Sequence, residues 1–199
     1  MHFQSGEDTI WAVVIGAVLA TAGGFVATQL EAFMRRRERE RSAALLFGEI
    51  LAVLELITRM ADEARGRGDP YGPLTTRLLR AIGREVETYD RNREQLYELR
   101  HAKTRGQIHA VMVRVTLALE GVADANTQIA LAETTIGGMS PDHPARADAL
   151  ARLESLFEAR QAAFDFAVEI VGHIDPILAV LRPIAKQSFG VYANVVRSP

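Results

Sequence analysis

The chain has 199 residues, 48% of them hydrophobic and 24% charged, with no cysteine and a formal net charge of −2. That length suits one ordinary domain, with or without an appendage, and is ample for a core. The lack of cysteine excludes a disulfide scaffold, a thiol catalyst, an iron–sulfur site and a cysteine zinc site. A pI near 6.2 and balanced charge speak against a dedicated nucleic-acid binder, so no nucleic acid is expected as a partner.

Residues 1–8 form a short N-terminal piece without Lys or Arg, ending in Glu7 and Asp8. From Thr9 to Leu30 no residue is charged, a run of 22 positions. At about 1.5 Å per residue it reaches roughly 33 Å as a helix, matching a hydrocarbon core of about 30 Å. Other apolar stretches carry internal charges: Glu49 and Glu55, then Arg114 and Glu120, then Asp165, Glu169, Asp175 and Arg182. Each of these would be costly in lipid and reads as a bundle helix instead. One transmembrane helix is expected, with residues 9–34 as anchor and juxtamembrane helix.

Arg35, Arg36, Arg37, Arg39 and Arg41 follow the run directly, whereas no basic residue precedes it. The positive-inside rule then places the N-terminus outside and the rest in the cytoplasm, in the inner membrane of a bacterial cell. These arginines could also meet anionic headgroups of the lipid bilayer, moderated by Glu38 and Glu40. A cleaved signal peptide would need a basic leading segment, which residues 1–8 lack. Within the run, Ala12, Gly16, Ala20, Gly24 and Thr28 recur every four residues. Such a small-residue ridge lets two helices approach closely and points to a homo-oligomer through the span.

Without residues 1–34 the chain carries 23 basic and 22 acidic side chains, close to neutrality. Residues 35–187 are expected to form the cytoplasmic bundle, and residues 188–199 a tail without a readable pattern. No breaker separates Leu30 from Ala64, so the spanning helix should continue into the bundle. Leu46, Ile50, Val53, Leu54, Ile57 and Ala61 form its apolar stripe. Gly66–Pro73 is dense in turn residues. A shorter helix carries Leu78, Leu79, Ile82 and Val86, and Glu87–Asn92 reads as a break before another helix. Ile108, Val111, Met112, Val115, Leu119, Val122 and Ala123 mark a long amphipathic helix that could reach Ala132. Gly137–Pro144 is a second loop, in which Ser140 or Asp142 could cap the next helix. Leu150, Leu153, Phe157, Phe164, Val168, Val171 and Ile174 form the face of a last long helix that Pro176 and Pro183 should kink or end. Strand signals are nearly absent. The expected fold class is all-α: a transmembrane helix continuing into a bundle of three or four helices.

The anchor, the Arg-rich exit, the helix Ala44–Ile50, the segment Tyr89-Asp90-Arg91-Asn92 and the long helix from Ile108 occur in an order that resembles a group of uncharacterised bacterial single-pass membrane proteins. The resemblance implies membrane anchoring and a helical cytoplasmic domain, and brings no assigned activity.

None of the five histidines stands in a strong metal spacing. The best constellation is Asp165, Glu169 and His173, at i, i+4 and i+8, with Glu120 and Asp124 as partners from the preceding helix. A solvated stripe from Glu154 to His173 explains the same residues, so neither metal nor cofactor is expected. Arg91, Asn92 and Arg93 beside Tyr89 could form an anion pocket, although polar chemistry at a helix start predicts the same residues and is the favoured explanation. No nucleophile motif, phosphate-cradling glycine loop or dinucleotide fingerprint occurs, so no catalytic activity is expected. The expected function is a membrane-anchored interaction or scaffold protein that self-associates or docks an unknown cytoplasmic protein. The alternative is a membrane-tethered sensor that binds a small ligand in its bundle.

Overall fold

No proline interrupts the chain before Pro70, and a single helix, α1, runs from Ser5 to Arg65 in the computed structural model. Residues 5–67 and 71–189 are described. After α1 come α2 (Pro73–Asn92), a 3-10 turn (Arg93–Glu98), α3 (Ala102–Gly137), α4 (Arg146–Val171) and α5 (Ile174–Ala185). The described residues form an all-helical bundle without strands.

The C-terminal half of α1 is the centre of the bundle, packed against both α2 and α5. Ala43, Ala44, Phe47, Leu51 and Leu54 are almost fully buried, and Ala61 continues the line. The stripe through Leu46, Ile50, Val53 and Ile57 is therefore only one side of a helix covered on two. The main core joins these residues to Ile82, Val86 and Tyr89 of α2, Ile108 to Val115 of α3, and Ile174 to Ala185 of α5. Burying each large aliphatic or aromatic side chain contributes roughly 1.5–3 kcal/mol. A smaller cluster of Ala61, Val122 and Phe164 lies farther along.

The expected break at Glu87–Asn92 does not occur, because α2 continues through that segment. Ile82, Val86 and Tyr89 share one face, and the Tyr89 ring meets Phe47 edge-on at 6.0 Å. That contact extends the helix past the point where polar residues suggested an end. Asn92 is held locally, donating through Nδ2 to the Thr88 carbonyl at 2.8 Å. The chain turns at Leu99, which is extended and buried.

Neither Ser140 nor Asp142 caps α4; Ala145 stands at its N-cap, and its N–H donates to Nδ1 of His143 at 3.2 Å. Arg146 reaches back to the carbonyls of Ile136 and Met139, both at 3.1 Å, and so neutralises the negative end of α3. The break expected at Pro176 falls instead at Gly172–His173, and Pro176 occupies the first turn of α5. Pro183 sits inside α5, which ends two residues later, at Ala185.

Part of the apolar face expected on α4 is not buried. Leu150 and Phe157 are 47% and 37% exposed, and among the described residues α3 is the main partner of α4. At the C-terminal end, Phe189 is 7% exposed and belongs to the main core, although the tail as a whole showed no pattern. Its ring lies over Gly48, in the space a Cβ would need. Residues 190–199 lie outside the described residues.

Among the described residues no helix is long and apolar enough to cross a membrane. The span expected over Thr9–Leu30 falls within α1, but the side chains of residues 5–15, 18, 20 and 22 lie outside those described. Ala12 and Ala20 of the ridge are among them. Gly16, Gly24 and Thr28 are described and exposed, as is every other described residue from Gly16 to Arg39.

Candidate functional site

The root of α1, where it leaves the bundle, gathers charges from distant parts of the chain. Glu40 is largely buried; one carboxylate oxygen accepts the backbone N–H of Arg100 and the other pairs with its guanidinium Nε, each at 3.1 Å. Arg41 donates through Nε to the carbonyl of Ala185 at 3.3 Å and stands 4.0 Å from Glu38. Arg39 reaches Glu98 at 3.5 Å, whereas Arg35 pairs with Glu31 on its own helix. Arg37 lies over the Phe33 ring at 4.6 Å. Arg36 is exposed. The arginine run is thus divided: Arg39 and Arg41 are drawn toward the bundle and Arg35 to its own helix.

Between α1 and the end of α5 lies an open groove of about 380 Å³, lined by Arg37, Arg41, Arg100 and Lys186 with Glu38 and Glu40. Lys186 caps α5 in the left-handed region, at φ 54° and ψ 36°, and its N–H reaches the Arg182 carbonyl. Arg100 and Lys186 were not singled out from the sequence. Each lies more than fifty positions from Arg41, and no linear spacing signals their convergence.

A second charged cluster locks α1 to α4. Arg65 bridges Asp165 at 2.5 Å and Asp62 at 2.7 Å, with its guanidinium 4.4 Å from the Phe164 ring centroid. Burial works against this charge, but the hydrogen bond and charge of Asp165, joined by Asp62, hold the Arg65 pKa above its ordinary value. Arg160 stacks over Tyr71 at 3.7 Å and donates to Asn126 at 3.0 Å. The Tyr71 hydroxyl donates to Gln161 at 3.1 Å, and burial pushes its pKa up against the pull of Arg160 and Arg65.

Asp165 is therefore engaged by Arg65 and Gln161, while Glu169 and His173 are exposed. Among the described residues no three His, Cys, Asp or Glu side chains gather as a metal site. Glu120 lines another groove, of about 310 Å³, together with Tyr89, Arg93 and His109. There the Tyr89 hydroxyl and Nδ1 of His109 are 2.9 Å apart. Burial raises the Tyr89 pKa, so the hydroxyl keeps its proton at neutral pH. Arg91 turns away to Glu87, so of the three residues offered for an anion pocket only Arg93 lines this groove.

No protein-family model matches the chain, and no curated protein or solved structure matches it.

Proposed function

We propose that the chain is a single-pass inner-membrane protein in which Thr9–Leu30 crosses the bilayer and α1 carries the helical bundle on the cytoplasmic side. The observation that carries this reading is the continuity of α1 from the uncharged run into the core. Along the run Leu19, Phe25, Val26 and Leu30 are 55–66% exposed, with no other part of the described chain covering them. Leaving such side chains in water costs about 25 cal/mol per Å² of apolar surface, and a hydrocarbon layer removes that cost. Two hydroxyls in the run are satisfied within the helix: Thr21 and Thr28 donate to the carbonyls of Ala17 and Gly24, at 2.8 and 2.9 Å. Lipid demands this internal pairing. The absence of basic residues before the run and the arginines after it set the direction, with the N-terminal end outside.

The bundle works in this reading by interaction rather than catalysis. The chain self-associates through the ridge or docks a cytoplasmic protein, and the exposed Leu131, Leu150 and Phe157 on the α3–α4 arm support docking. Alkaline carbonate extraction of bacterial membranes tests the anchor. The full chain should stay in the pellet, and Leu19→Arg with Val26→Arg should move it to the supernatant. An unmodified chain that is fully extracted would sink the proposal.

A further inference from the structure

We infer that the groove at the root of α1 binds a phosphate group, supplied in the membrane by an anionic lipid headgroup. Four cations from three separate parts of the chain line it: Arg37 and Arg41 of α1, Arg100 before α3, and Lys186 at the end of α5. Two carboxylates accompany them, and both are occupied. Glu40 accepts the backbone N–H of Arg100 and pairs with its guanidinium, and Glu38 stands beside Arg41. Among the described residues Arg37 and Lys186 have no carboxylate within 4.0 Å. Like charges brought into one groove repel, and an anion between them reverses that term.

The shape of the donors specifies the anion. Arginine offers a planar fork that matches phosphate oxygens, and Lys186 adds a compact point charge. Glu40 orients the Arg100 guanidinium, and the Ala185 carbonyl orients that of Arg41, so two of the forks are held in place before any ligand arrives. Lys186 is one of only two lysines in the chain, the other being Lys103, and it stands in a backbone region that favours glycine.

The source of the phosphate rests on the membrane reading above. Arg37 lies seven residues beyond Leu30, about 10 Å along the helix. Helical side chains lean toward the N-terminus, and the Arg37 guanidinium lies over the Phe33 ring one turn nearer the run, so it points back toward the bilayer surface. That places the groove next to the headgroup layer.

Amine acylation read by mass spectrometry tests the inference, with Lys103 as internal reference. The full chain is placed in nanodiscs of phosphatidylcholine alone, of phosphatidylcholine with phosphatidylglycerol, and of phosphatidylcholine with inorganic phosphate added. Lys186 should be acylated at least about fivefold more slowly in the anionic discs, the factor of about one basic contact at such a surface. Lys103 should change much less, and Arg37→Gln should abolish the difference. Protection by phosphatidylglycerol alone assigns the site to a headgroup, and protection by inorganic phosphate as well assigns it to the phosphate group from either source. Equal behaviour of the two lysines in all three preparations overturns the groove. A chain that does not stay in neutral discs overturns the anchor instead, and the inorganic phosphate arm on that same chain then decides the groove separately.

Discussion

Lys186 combines a non-glycine residue with a left-handed backbone, a conformation that costs an L-residue roughly 1–2 kcal/mol. Lys186→Gly should therefore raise stability by about 1 kcal/mol, seen as a higher thermal midpoint, while removing a cation from the groove. Glu55 makes the opposite kind of statement. Burial raises its pKa above the ordinary carboxylate value, Arg59 opposes the shift and Asp175 adds to it. A carboxyl group whose folded pKa is raised contributes most below its unfolded pKa and loses that contribution as pH rises through the folded value. Glu55→Gln should thus be at least as stable as the natural chain at neutral pH, and the gap should close below about pH 4. Denaturant midpoints across that range check the sign. Residue pairs one helical turn apart, such as Glu55 with Arg59, are legible in a sequence because the helix sets their spacing. The Arg65–Asp165 bridge spans a hundred positions and is not.

Gly48 shows how one element depends on another. It looks like a weak point in a long helix, yet its missing side chain is what admits the Phe189 ring. Gly48→Ala should cost about 1–3 kcal/mol, as overpacking of a tight core does. In a Phe189→Ala background the same change should cost little, and chemical denaturation of the four chains of that cycle measures the difference. The elements were largely readable from periodicity: the stripe on α1 is buried or half-buried, that on α3 is mostly buried, and the two glycine- and proline-rich segments fall at the joins of α1 with α2 and of α3 with α4. Ends were less readable. α2 outlasted its polar segment because Tyr89 found Phe47, and part of the apolar face of α4, at Leu150 and Phe157, stays exposed among the described residues.

For the whole molecule, α1 is both the centre of the bundle and its outward extension, reaching about 92 Å over 61 residues. In the proposed membrane setting the exposed half meets lipid and a second copy. Nothing stands within 4 Å of where a Cβ would be at Gly16 or Gly24, so two helices could close on that side. Gly16→Ile with Gly24→Ile should abolish cross-linking between copies in membranes while the bundle unfolds at an unchanged temperature. Undiminished cross-linking would remove the ridge from the account.

The all-helical class, the placing of the helix joins and part of the core followed from the sequence alone, since helical periodicity and breakers act over a few residues. The candidate span and its direction are read there too, from an uncharged run and one-sided arginines. Only the tertiary structure decided that α1 is covered on two sides, that Phe189 returns to Gly48, and that Arg100 and Lys186 join Arg37 and Arg41 around one groove. Those contacts join residues far apart in the chain, and helical spacing carries no information about which distant face a helix will meet.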